Sequence, residues 1–116
     1  MLPVDGSLLR IFVGESDRCE KQPLYEWIVT QAKAQGLAGT TVLRGLMGFG
    51  ANTRVIHSFK IERLSEDLPM VIELVDTTDK LEAFLSFVER HIHSGLLATM
   101  EKVQIRLYRG DTSTVR

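Results

Sequence analysis

From Leu8 to Val13 apolar and polar positions alternate imperfectly, with Leu9, Ile11 and Val13 on one side and Leu8, Arg10 and Phe12 on the other. A period of two marks an extended strand, because successive side chains leave opposite faces. Gly14 and a polar stretch to Gln22 then predict a loop. Pro23 suits a first helical turn, where its missing N–H costs little, and Gly36 suits a helix stop because glycine tolerates positive φ. A helix is therefore predicted from Pro23 to Gln35. At about 100° per residue, Leu24, Tyr25, Ile28, Val29 and Ala32 share a buried arc, and Trp27 falls on the far side. Trp27 is expected to pack at the flank against another element or subunit; the alternative is a ligand or partner surface.

Thr40 to Met47 is rich in β-branched and apolar residues and predicts a second strand that ends in glycines. Gly50 to Asp67 has no clean period and predicts a long, mobile connector, with Arg54, His57, Lys60 and Arg63 spread along it. Pro69 to Val75 predicts a short third strand, with Met70, Ile72 and Leu74 on one face and Val71, Glu73 and Val75 on the other. Thr78 or Asp79 is the expected cap of a second helix, Glu82 completing a capping box, and Leu81, Phe84, Leu85, Val88 and Ile92 recur at helical spacing up to Gly95. Lys102 to Tyr108 alternates strictly and predicts the last strand, followed by a polar tail from Gly110.

Strand, helix, strand, strand, helix, strand is the order of a ferredoxin-like α+β sandwich, two helices on one face of a four-stranded antiparallel sheet. The whole chain, residues 1–116, reads as one domain with its core at about 8–109. With Ile11, Val103, Ile105 and Leu107 turned to the helices, Arg10, Phe12, Gln104, Arg106 and Tyr108 fall on the open face, joined by Glu73 and Arg44. That face is expected either to be solvated or to form a polar subunit interface built on arginine–carboxylate pairs.

Fourteen Lys plus Arg against fifteen Asp plus Glu give a net charge of −1, which argues against a non-specific polyanion binder. No apolar run reaches the ~20 residues of a membrane span and no secretory leader is evident, so a cytoplasmic location is expected. One cysteine, Cys19, excludes an internal disulfide; Arg18 and Lys21 beside it would lower its pKa, but no base is placed near it. His91 and His93 stand two apart, too divergent on a helix to grip one ion, so no metal site is expected, and Glu62, Glu66 and Asp67 form no acid–base pair. No nucleophile–base constellation is found, and the chain is expected not to be an enzyme. The stretch Arg44-Gly45-Leu46-Met47-Gly48-Phe49-Gly50 sets three glycines at the end of a strand. It reads either as a bulge or as bare backbone able to approach an anion or a nucleotide ring; it is neither a P-loop nor a dinucleotide fingerprint.

The stretches LRIFVGESDR from Leu9, PLYE from Pro23, GTTVLRGLMGFG from Gly39 and LSEDLP from Leu64 resemble a bacterial and archaeal family of uncharacterised PII-like proteins, over about Leu8 to Arg109. The resemblance implies a homotrimer of ferredoxin-like subunits that binds an adenine nucleotide, or another small anionic effector, in inter-subunit clefts. It implies no required cofactor, no nucleic-acid partner, and action on a membrane transporter or channel through the loop after the second strand. Carried over, Gly48, Phe49 and Gly50 match the start of the PII signalling loop; Asn52 lies near the PII glutamine that reaches phosphates and metal. Lys102, just before the last strand, resembles a phosphate-contacting lysine, and Arg106 and Arg109 stand in for phosphate-binding arginines. Arg54, His57 and Lys60 fall in the partner-binding loop. The PII glycine-rich phosphate loop is replaced by Ser94-Gly95-Leu96-Leu97-Ala98-Thr99-Met100-Glu101-Lys102, whose Cβ atoms at Leu97 and Ala98 argue against triphosphate binding in the PII manner. The connector carries no tyrosine for uridylylation. A single-stranded RNA-binding module of the same fold, or a structural oligomer without effector, are the alternative readings; the first is disfavoured because the third strand has no aromatic residue.

Overall fold

The computed structural model describes residues 5–49 and 67–110. The connector from Gly50 up to residue 66 and the tail beyond Gly110 lie outside the described residues. Strand β1 spans Asp5–Gly14, a small hairpin follows as β2 (Arg18–Cys19) and β3 (Gln22–Pro23), and helix α1 covers Leu24–Ala34. Then come β4 (Gly39–Arg44), β5 (Pro69–Asp76), helix α2 (Thr78–His91) and β6 (Leu97–Gln104). The main sheet has four strands in the order β4-β5-β1-β6, and every neighbouring pair is antiparallel. The architecture is the ferredoxin-like sandwich the element order predicts. Each helix crosses between two parallel strands with one strand left between them.

Alternation along the central strands decides which face is covered. Leu9, Ile11 and Val13 of β1 and Met70, Ile72 and Leu74 of β5 are buried beneath Leu24, Ile28 and Ala32 of α1 and Leu81, Phe84 and Val88 of α2. Trp27 is 1% exposed and stacks on Phe87 of α2 at 5.8 Å and 7° between planes, with His91 at 5.5 Å. The flank expected for Trp27 is thus the seam between the helices. An arc drawn toward the sheet alone omits it, because a helix in a two-helix layer also buries the side that meets its neighbour.

Two element ends differ from expectation. Helix α2 is capped by Thr77, whose hydroxyl accepts from Lys80 N at 3.4 Å, so the capping box at Asp79 and Glu82 does not form. Gly36 takes φ +77° beyond the α1 C-cap, as its position predicts. The last strand is Leu97–Gln104 rather than Lys102 to Tyr108. Its register pairs Leu97 with Phe12 and Gln104 with Asp5, the first described residue of β1, so among the described residues nothing beyond 104 has a ladder to join. The alternation after Gln104 is real in sequence but unpartnered in the sheet.

Candidate functional site

At the end of β4 the chain turns around Pro69. Gly45 N donates to Pro69 O at 2.7 Å, and a Cβ at Gly45 would stand 2.8 Å from Pro69 Cγ. Gly48 has φ +151°, a backbone setting side chains rarely adopt. Glycine is therefore favoured at both positions, and Leu46, Met47 and Phe49 of this turn are 86%, 57% and 61% exposed. Arg44 beside this turn binds Glu15 at 2.9 Å. Register sets Arg44 opposite Met70, on the helix side of the sheet, which corrects its expected place on the open face. Asp67 accepts from Ser16 N at 2.9 Å and Asp17 from Gly14 N at 2.8 Å, which ties the β1 exit to the β5 entry. The connection from α2 to β6, with Gly95 at φ +81°, returns to this same end, since Leu97 lies opposite Phe12.

The candidate cations stand at the opposite end. Lys102 is a residue of β6 opposite Ser7, not a residue before the strand, and Arg106 and Arg109 are exposed in the stretch that follows. Six residues of β1 separate the Ser7 row from the Val13 row that abuts Met70 and Arg44, which is about 20 Å at ~3.3 Å per residue. That stretch runs across the strand ends: Ile105 packs over Gly6, and the Tyr108 hydroxyl donates to Ala38 O at 3.3 Å. Beneath it Asp76, 1% exposed, accepts from Thr77 N at 2.6 Å and Ala38 N at 2.9 Å, and Ser7 and Thr78 share a hydroxyl bond of 2.6 Å.

The open face has its own order. One row across the four strands reads Leu43, Val71, Phe12, Leu97; the next Thr41, Glu73, Arg10, Thr99; the next Gly39, Val75, Leu8, Glu101. Arg10 donates through Nε to Glu73 at 2.9 Å and through Nη1 to Glu101 at 2.6 Å. Its pKa is raised first by the hydrogen bond to Glu73 and then by that to Glu101, so it stays charged. Arg10, Phe12 and Glu73 lie where sequence predicts. Gln104 has the parity of Ser7 and belongs to the other side, while Arg106 and Tyr108 lie past the strand; Val103, opposite Gly6, is on the open face.

The family model described as "Uncharacterized ACR", DUF190, matches residues 6–105. The chain belongs to this family. It is 37% identical over 105 residues to a UPF0166 protein of Aquifex aeolicus, covering 90% of this chain and 97% of the relative. It is 31% identical over 110 residues to a UPF0166 protein of Methanocaldococcus jannaschii, covering 94% and 97%. In fold it is similar to a Thermus thermophilus protein designated PII-like, with TM-score 0.61, 20% identity and coverage of 90% and 93%. It is also similar to CPII of Thiomonas intermedia, solved with ADP, AMP and acetate, at TM-score 0.59, 16% identity and coverage of 87% and 88%. The fold of this DUF190 chain is PII-like.

Of the residues the resemblance singled out, Gly50, Asn52, Arg54, His57 and Lys60 lie outside the described residues. Gly48 and Phe49 gather at one sheet end and Lys102, Arg106 and Arg109 at the other. The stretch compared with the PII phosphate loop is a turn only as far as Leu96; Leu97 and Ala98 are strand residues opposite Phe12 and Ile11. Their Cβ atoms belong to the sheet. The Cys19 thiol is pushed up in pKa, mainly by burial and then by the charge of Glu20, the reverse of what flanking cations suggested. His91 Nδ1 lies 2.9 Å from Phe87 O. Sequence reasoning missed the Glu15–Arg44 pair, because only the turn around Pro69 brings those residues together.

Proposed function

We propose that this DUF190 chain is a PII-like regulatory protein whose copies bind a small anionic effector, an adenine nucleotide, in a cleft they share. The observation that carries the reading is the division of the candidate residues between the two ends of one sheet. Within a chain, Phe49 and Lys102 lie too far apart for one nucleotide, so a site built from both halves needs two copies. Phe49 offers an exposed ring face for a base, and Lys102, Arg106 and Arg109 supply charge-assisted hydrogen bonds to phosphate. CPII, which shares the fold, has been solved with ADP and AMP. The mode of action is binding coupled to a conformational equilibrium, without a covalent step, read out by a partner through residues 50–67. A membrane transporter or channel is the partner this reading favours.

Calorimetry of the purified protein against ATP, ADP, AMP and cyclic AMP tests it. At least one is expected to bind with a stoichiometry near one per chain. Silence across all four overturns the nucleotide reading.

A further inference from the structure

Beyond Gln104 the chain joins no ladder among the described residues, yet it does not leave the sheet. Ile105, half-buried, lies over Gly6 of β1. A Cβ at Gly6 would stand 2.6 Å from Ile105 Cδ1 and 2.8 Å from Asp76 O, so this notch exists because residue 6 has no side chain. Three residues on, the Tyr108 hydroxyl donates to Ala38 O, just before β4. In the order β4-β5-β1-β6 the two anchors stand two strands apart. Two strand spacings of ~4.8 Å and three extended residues at ~3.3 Å each come to about 10 Å, so the segment is drawn nearly straight across the strands between its fixed points. The Ala38 anchor is itself held, because Ala38 N donates to the buried Asp76 carboxylate at 2.9 Å. Arg106 lies between the anchors and Arg109 next to the second. Both are exposed and neither is in an ion pair among the described residues, whereas Arg10, Arg44 and Lys80 each face a carboxylate.

We infer that Ile105 and Tyr108, with the notch at Gly6, are positioning residues of the effector site: they clamp the arm that bears Arg106 and Arg109, so that an oligophosphate meets both cations already in place. The inference rests on the shared-cleft reading and adds to it the residues that set affinity for phosphate. An arm tied only where β6 ends would sample many positions, and a ligand would have to order it on binding, which lowers affinity. Tied at two points, the arm is ordered in advance. Ile105 and Tyr108 act through the arginines, so their removal bears on the charged part of a ligand. The effect therefore grows with the number of phosphates that the arm must hold.

The test is calorimetry of the full chain at fixed salt against inorganic pyrophosphate, ADP and AMP. Tyr108 is 53% exposed, so Tyr108→Phe removes one anchor and leaves the core untouched. Tyr108→Phe and Ile105→Ala are each expected to weaken pyrophosphate and ADP by about two- to tenfold and AMP by less. The double variant should fall short of the product of the two losses, because both anchors serve one strap. Ile105→Val, which refills the notch, is expected to restore the pyrophosphate binding that Ile105→Ala loses. Thermal unfolding without ligand reports that each variant is folded. Wild-type affinity in both single variants, or equal losses for AMP and ADP, overturns the clamp and leaves the shared cleft standing. A wild type that takes pyrophosphate but no nucleotide, with the same losses in the variants, supports the clamp and overturns the nucleotide reading. Silence toward all three ligands overturns both.

Discussion

Gly45 and Gly39 bound the same strand, yet a methyl group has opposite consequences at the two. At Gly45 it would meet Pro69 Cγ at 2.8 Å and Pro69 O at 3.3 Å, while at Gly39 nothing lies within 4 Å. Gly45→Ala is expected to destabilise the fold by about 1–3 kcal/mol and Gly39→Ala to leave it within about 0.5 kcal/mol, read by urea unfolding. The hairpin turn offers the opposite sign. Glu20 and Lys21 both hold positive φ, 50° and 69°, in the two-residue connection that favours Asn-Gly. Replacing them by Asn-Gly should raise stability by about 1 kcal/mol in the same assay. For Cys19, burial and Glu20 both penalise the thiolate, so its alkylation rate should inflect at higher pH than a free thiol, and Glu20→Gln should move the inflection back down. An inflection below the free-thiol value would contradict this environment.

Most elements were legible because their periods are local. Leu81, Phe84, Leu85, Val88 and Ile92 define α2, and Met70, Ile72 and Leu74 define the inner face of β5. The last strand was misplaced for a non-local reason: alternation from Lys102 to Tyr108 is regular, but among the described residues the ladder on β1 runs from Gln104 opposite Asp5 back to Leu97 opposite Phe12. Pairing length is set by the partner strand. The same limit hid Trp27, whose burial depends on where α2 lies. Its Nε1 is buried without a hydrogen-bond partner among the described residues, so Trp27→Phe, which keeps the stack on Phe87 and removes that N–H, should cost under about 1.5 kcal/mol. Trp27→Ala should cost about 3–5 kcal/mol. Chemical denaturation of the two variants side by side distinguishes a seam held by ring packing from a tryptophan kept for some other role.

The fold class and its PII-like likeness could be read from the chain itself, through strand–helix order and the run GTTVLRGLMGFG. The arrangement of the candidate site could not. Nothing local in the sequence says that Gly48 and Phe49 lie at one end of the sheet while Lys102 leads toward the other, because that separation follows from the antiparallel register of β6 on β1 and of β5 on β1 and β4. Given that register, an effector held by both groups joins two copies, and ligand binding and assembly become linked, each favouring the other. Nucleotide should then slow subunit exchange as well as bind.

The most direct measurement is complementation between two deficient chains. Gly48→Val spoils the turn, and Lys102→Glu with Arg106→Glu spoils the cationic end; each alone should bind no nucleotide by calorimetry while still assembling. Co-refolded in equal amounts, the two should regain about a quarter of the wild-type sites, the fraction of junctions in a closed ring at which two intact halves meet. No recovery in a mixed assembly, or full binding by either variant on its own, would contradict a site shared between copies.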